Sequence, residues 1–261
     1  MASMYQQIMA LAEETAREIT SDTERYMAFL TTAAHNFKYS FRDQLLIFAQ
    51  RPDATACAEI SFWNSRGRWV NRGTRGIALL ADANTPYKLR YVFDMSDTSS
   101  RTGQPIPVWK MEGRYEAAVR ESLENSFGAA SAASTLPACL LETAGILAED
   151  NITDYLGELT EVKAGSLLEE LDTLNTEVWL KETVKSSVAY MLLTRCSYDP
   201  RNYFSPEDLS RVCDFNTPET ISILGVAISD IAEMALREIA TTIFSLRKAE
   251  RQKYTVARQE G

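Results

Sequence analysis

Histidine is almost missing from this 261-residue chain: His35 is the only one. Hydrolase, phosphodiesterase and peptidase schemes built on a histidine dyad lack their central residue, and no His-Glu-x-x-His zinc helix can be written anywhere in the sequence. Cysteine is scarce too. Cys57, Cys139, Cys196 and Cys213 stand far apart with no CxxC pair, which argues against a zinc site or disulfide framework and for buried free thiols. No uninterrupted apolar run approaches the roughly 18 to 20 residues that cross a bilayer. The opening stretch MASMYQQIMALAEETAREIT carries acids where a secretory signal carries bases, so a cytoplasmic protein with no membrane partner is expected. Nucleotide cradles are also wanting. The glycines between 67 and 76 lack the strand-to-helix setting and the lysine-serine ending of a P-loop. Acidic clusters at Glu169, Glu170 and Asp172, and at Glu142, Glu149 and Asp150, read as solvated helix faces rather than magnesium ligands or acid–base pairs. No cofactor, no metal and no catalytic residue are expected.

What is present is an uneven charge. The chain carries −9 overall. Yet residues 38 to 92 hold nine bases (Lys38, Arg42, Arg51, Arg66, Arg68, Arg72, Arg75, Lys88 and Arg90) against four acids (Asp43, Asp53, Glu59 and Asp82), a local +5 that leaves −14 for the rest. Such asymmetry describes a basic surface on an acidic scaffold.

The pattern of the chain predicts an α+β, mainly helical protein: N-terminal helices, a small antiparallel sheet, then a C-terminal helical bundle. Ile8, Leu11, Thr15 and Ile19 recur at helical spacing over 4–20. Ser21 with Glu24, and Ser40 with Asp43, have the form of capping boxes opening a second and a third helix, the third ending before Pro52. From Trp63 the pattern shortens. RWV, GIALL and LRYVF read as strands of one sheet between about 68 and 94, separated by glycine turns and the DANTPYK loop. The polar loop SDTSSRTGQPIP follows, with PVW as an extended edge piece. Beyond it come helices over 114–127, 136–148 and 177–196, joined in part by the flexible connection GAASAAST. Two further starts, Ser205-Pro206-Glu207-Asp208 and Thr217-Pro218-Glu219, each combine a cap, a first-turn proline and acids; the second opens a helix to about Arg251. The expected division is a helix-plus-sheet region over 1–112, a bundle over 113–251 and a polar, flexible tail over 252–261.

Residues 62 to 80, FWNSRGRWVNRGTRGIALL, carry the chemistry. Trp63 and Trp69 interleave with Arg66, Arg68, Arg72 and Arg75, and Tyr87, Tyr91 and Phe93 lie on neighbouring strands. Single-stranded nucleic acid asks for this combination: guanidiniums hold phosphates without reading sequence, and aromatic faces stack on unpaired bases. Composition leaves a second reading open, in which the tryptophans anchor a small core and the arginines are a solvated rim.

The order Arg42-Asp43-Gln44-Leu45-Leu46, then Trp63, then GRWVNRGTRGIALL (67–80) resembles the N-terminal domain of ArdC-type antirestriction proteins. Their pattern is an Asn-x-x-Leu-Leu helix, a tryptophan and Gly-x-x-Val-x-Lys-Gly-Glu-Lys-Gly. This chain departs from it at Asp43 or Gln44, where the pattern has asparagine, and at Thr74, where it has glutamate; the turn is kept as Arg72-Gly73-Thr74-Arg75-Gly76. The family's zinc peptidase half is absent. A longer resemblance, through SFRDQLLIFAQRPDATA, GRWV, LRYVFDMSDT, AYMLLTRC and DFNTPETISILG, covers nearly the whole chain. It is to the N-terminal region of very large proteins of Firmicutes conjugative elements, in which methylase and helicase regions follow. Together these resemblances imply a non-catalytic, single-stranded DNA-binding, antirestriction-like module of a mobile element, with a larger methylase/helicase polypeptide as a partner in cis. The contact residues expected from the basic, aromatic segment are Arg42, Trp63, Arg66, Arg68, Trp69, Arg72, Arg75, Lys88 and Arg90. The alternative is an acidic antidefence protein, of anti-CRISPR or antirestriction type, whose carboxylates imitate phosphates and whose partner is a host defence nuclease. A third reading is a structural tether for a larger enzyme.

Overall fold

The computed structural model describes residues 3–81, 87–100, 108–129 and 135–259, with side chains as far as 252. Most of the DANTPYK loop with Asp82, the second half of the SDTSSRTGQPIP loop, the centre of GAASAAST and the side chains of the expected tail lie outside the described residues.

Helix α1 (Met4–Ser21) starts at a capping box in which Ser3 accepts from the Gln6 amide and Gln6 reaches back to the Ser3 amide. It buries Ile8, Ala12, Thr15, Ala16 and Ile19 along one stripe. Helix α2 (Thr23–His35) is capped by Asp22 rather than Ser21, one residue later than the sequence suggested. Ser21 still has helical backbone and closes α1, whereas Asp22 is extended (φ −145°, ψ 112°) and its carboxylate accepts from the Glu24 and Arg25 amides. Glu24 is thereby freed to pair with Arg201. Helix α3 (Phe41–Gln50) is capped by Ser40 as expected, while the Asp43 carboxylate pairs with Arg90 of the sheet.

Five further helices build the other end: α5 (Glu116–Phe127), α6 (Leu136–Asn151), α7 (Thr153–Val162), α8 (Thr173–Arg195) and α9 (Pro218–Gln259), the last running past the expected end near Arg251. Ser205 and Asp208 do form a reciprocal box, but the segment they open, Pro206–Asp214, winds as a 3₁₀ helix rather than an α-helix. Helix α8 is buried on several sides, through Leu180, Val184, Val188, Met191 and Leu192, and forms the axis of the bundle.

One apolar core joins the N-terminal helices to the bundle and so spans residue 112: Tyr26, Met27, Leu30 and Phe48 share it with Val184, Leu192, Leu236 and Ile239. Buried hydrogen bonds fix the junction, from Tyr26 to Ser187 (2.7 Å) and from Ser229 of α9 to Gln44 of α3 (3.0 Å). Gly225 of α9 lies directly under the Phe41 ring, where any β-carbon would collide, so the missing side chain lets α3 dock.

A second, smaller core of Ile8, Ala12, Leu46, Ile47, Ile77 to Leu80 and Val92 seats the sheet on α1 and α3. This explains why IALL is apolar at every position: the strand is covered on both faces and shows no alternation. The expected single sheet is in fact two pieces, both antiparallel. Strand β4 (Leu89–Asp94) lies between β1 (Cys57–Ala58) and β3 (Ile77–Leu80), whereas β2 (Arg68–Val70) leaves them and pairs with β5 (Thr98–Ser100). The short helix α4 (Ile60–Ser65), set between β1 and β2, carries the chain away from that sheet. Of the expected extended edge piece PVW, Val108 and Trp109 are described and pair with no sheet. Trp109 is buried in the main core under the Arg195 guanidinium and belongs to no strand.

Candidate nucleic-acid interface

Trp63 and Trp69 have opposite fates. Helix α4 turns Trp63 inward until 1% of it is exposed, and its indole N–H donates to the Phe93 carbonyl at 2.9 Å. It is a scaffold residue, which corrects its expected place on the contact surface: a strand would alternate faces, but a helical turn puts this ring against β4. Trp69, in the centre of β2, keeps 39% of its surface exposed. Phe62, Tyr87 and Tyr91 are exposed as well, at 40%, 80% and 47%.

The arginines divide in the same way. Arg68 is spent inside the β2–β5 ribbon, where its guanidinium donates to the Thr98 hydroxyl (2.8 Å) and carbonyl (2.7 Å). Arg90 pairs with the buried Asp43 and lies over the Tyr39 ring. Burial outweighs this pairing at Asp43 and leaves its carboxyl above the usual aspartate value. Arg68 and Arg90 are thus engaged by the protein rather than presented outward, again unlike the expectation. Arg42, Arg66, Arg72, Arg75 and Lys88 are exposed and form no ion pair among the described residues, as is Lys38. Arg66 lies over the Phe62 ring at 5.5 Å, so α4 presents a cation and an aromatic face together.

The turn from 71 to 76 is held on both sides. The Asn71 amide donates to Asp97, and the Thr74 amide donates to Asn71. Gly76 backs onto the outer face of β4: a β-carbon there would stand 3.0 Å from the Phe93 ring and 3.3 Å from the Tyr91 β-carbon. Arg75 is the residue just before this close approach to β4. It also lines a groove of about 740 Å³ shared with α1, whose walls include Gln7, Glu14, Arg51 and Asp97.

Beneath this face, Asp94 fixes the backbone. Buried to 1% exposure, its carboxylate accepts from the Thr55, Ala56 and Ser96 amides and the Ser96 hydroxyl. Burial alone would raise its pKa, but the accepted hydrogen bonds outweigh burial and hold it below the ordinary aspartate value. Arg51 completes the clasp through Asp97 and Asp53.

Sequence reasoning passed over a second place. A cavity of about 280 Å³ opens against Trp63, walled by Arg195, Trp109, His35, Lys38, Phe62 and Phe244. His35 is held below the usual imidazole value, first by burial and then by Arg195. The arginine comes from the last turn of α8, about 130 residues away along the chain, and only its pairing with Trp109 across the fold brings it here. Among the described residues no group of three or more His, Cys, Asp or Glu side chains is placed to hold a metal ion. No described helix is long and apolar enough to cross a membrane.

No family model, no curated protein and no solved structure matches this chain.

Proposed function

We propose that the protein is a non-catalytic single-stranded DNA-binding module, antirestriction-like and belonging to a mobile genetic element, with the face formed by α4, β2, the 71–76 turn and β4 as its contact surface. The observation that carries this reading is the exposure, within residues 62 to 91, of Arg66, Arg72, Arg75 and Lys88 without ion-pair partners among the described residues, together with exposed Phe62, Trp69, Tyr87 and Tyr91, Arg66 lying over the Phe62 ring. Cations placed this way neutralise phosphates and release counterions, and each aromatic face that stacks on a base adds roughly 1 to 3 kcal/mol. The overall charge of −9 does not oppose it, because at physiological salt a strand on this face is screened from charges more than about 8 Å away. The resemblance to the ArdC-type domain supports the same reading through the turn Arg72 to Gly76, and the longer resemblance supports a methylase/helicase polypeptide in cis.

Fluorescence polarisation with a short single-stranded oligonucleotide tests it. Binding should weaken steeply with salt, and Arg72→Glu combined with Arg75→Glu should abolish it while the melting temperature stays within about 2 °C, since exposed arginines contribute little to stability. A parent chain that ignores DNA, or a double variant that binds as well as the parent, ends this reading. The better one is then the acidic inhibitor, recognised by its direct complex with a nuclease.

A further inference from the structure

Arg195 is 6% exposed, yet it forms no ion pair with any described carboxylate and its Nε–H has no acceptor. One terminal nitrogen donates to the Trp109 carbonyl at 3.0 Å, and the guanidinium lies over the Trp109 ring, 3.5 Å from its centroid. Burial, opposed only by the neighbouring Cys196, draws its pKa down to about 10. A charge in this position is ordinarily paired, because removing an ion from water without a counter-charge costs several kcal/mol. Here the same residue forms part of the wall of the 280 Å³ cavity described above.

We propose that this cavity binds a small phosphate-bearing molecule with a flat apolar body, of the mononucleotide class, its phosphate held between Arg195 and Lys38. Charge selects phosphate over a simple carboxylate. Arg195 is cationic and Lys38 is exposed where it lines the cavity, so a group carrying about −1.5 to −2 at neutral pH is matched by the two where a single negative charge leaves a cation over; His35, held below the usual imidazole value in the same wall, adds a neutral hydrogen-bonding group. The carboxylate that acts on His35 is that of Asp94, and its oxygens are already occupied by the Thr55, Ala56 and Ser96 amides. The flat body is selected by the aromatic walls, with Phe62 and Phe244 about two-fifths exposed along the lining while Trp109 backs the guanidinium. Size limits the ligand to one nucleotide at most, since 280 Å³ falls just under the roughly 300 to 1,000 Å³ of small-molecule sites. The chemistry is shared by two sources, a free nucleoside monophosphate and the 5′-phosphorylated end of a strand. The inference stands apart from the DNA-binding reading, because a free mononucleotide needs none of the outer arginines.

Calorimetric titration of the full chain with deoxyadenosine 5′-monophosphate, with deoxyadenosine as control, reads the first source. Matched oligonucleotides bearing a 5′-phosphate or a 5′-hydroxyl read the second. Saturable binding of the monophosphate but not the nucleoside is expected, weakened at least about tenfold in Arg195→Met and several-fold in Lys38→Ala, and unchanged when Arg72 and Arg75 are both replaced by glutamate. Arg195→Met also separates a binding from a merely structural role. Methionine fills the space without the unpaired charge, so its melting temperature should equal or exceed that of the parent, whereas a structural arginine would lower it. Binding confined to the 5′-phosphorylated oligonucleotide, and losing that preference in Arg195→Met, assigns the strand end. If neither the monophosphate nor the 5′-phosphate is distinguished from its control, or if both Arg195→Met and Lys38→Ala bind as the parent does, the proposal is overturned.

Discussion

In the helical bundle, Arg114, Lys181, Arg237 and Arg247 each sit on a carboxylate, and Arg201 reaches across to Glu24 of α2. In the small-sheet region the opposite holds for Arg42, Arg66, Arg72, Arg75 and Lys88, which are exposed and make no such pair among the described residues. The difference lies in what supports each surface. These bundle cations are neutralised by nearby acids, Glu112, Glu149, Glu233 and Glu24, whereas the buried Arg195 is the exception. The sheet region instead takes its rigidity from elements underneath: Trp63 locked to Phe93, Asp94 gathering amides, and Arg68 and Arg90 turned inward. With those four doing the holding, the outer cations are left free of structural duty.

The sharpest way to break that contrast is at its anchor. Trp63→Ala should cost about 3 to 5 kcal/mol in denaturant unfolding, because a large ring that is 1% exposed leaves a cavity and strands the Phe93 carbonyl. Trp69→Ala, six residues on, should cost less than about 1 kcal/mol while losing affinity for single-stranded DNA. Equal stability losses at the two positions would erase the distinction between scaffold and face.

Asp94→Ala comes next. Four donors lose their acceptor, and a loss of about 2 to 3 kcal/mol is expected at neutral pH. The pH dependence has a definite sign. The Asp94 pKa is lower in the folded chain than in the unfolded one, so its stabilisation is complete above the ordinary aspartate value and is lost as pH falls through the folded value. The melting temperatures of the parent and the alanine variant should therefore begin to converge below about pH 4 and continue to do so as the pH falls through the lower folded value. A gap that persists undiminished into acid would show that packing, not charge, is what Asp94 supplies.

The smallest effect belongs to the seam between the two regions. Gly225→Ala gains about 1 kcal/mol of helix propensity in α9 but drives a methyl into Phe41, at a cost of about 1 to 3 kcal/mol. A net loss of about 1 kcal/mol is expected, and Phe41→Leu in the same chain should recover part of it. A stabilised single variant would mean that α3 can shift without loss.

Much of the local structure was legible in the residues. Ser40, Pro206 and Pro218 mark starts whose physics is complete within one helical turn, and the short β-rich runs RWV, IALL and LRYVF do become strands. Even the local errors are instructive: Asp22 displaced Ser21 as a cap because either side chain can serve and only the backbone angle chooses. The candidate face was legible as a composition but not as a surface. Arg68 and Arg72 look alike in sequence, and what separates them is a pairing with Thr98, thirty residues away, that no local pattern encodes.

By itself, then, the sequence determined the mainly helical α+β class, the position of most elements and the concentration of basic and aromatic residues between 38 and 92, because caps, periodicity and charge depend on neighbours three or four residues apart. Tertiary structure alone decided that β2 leaves the sheet for β5, that Trp63 turns in while Trp69 stays out, that Asp43 claims Arg90, and that Arg195 from the end of α8 comes to lie unpaired on Trp109. Each of these is a choice of partner across tens of residues, fixed by which surfaces bury together rather than by any short run of the chain.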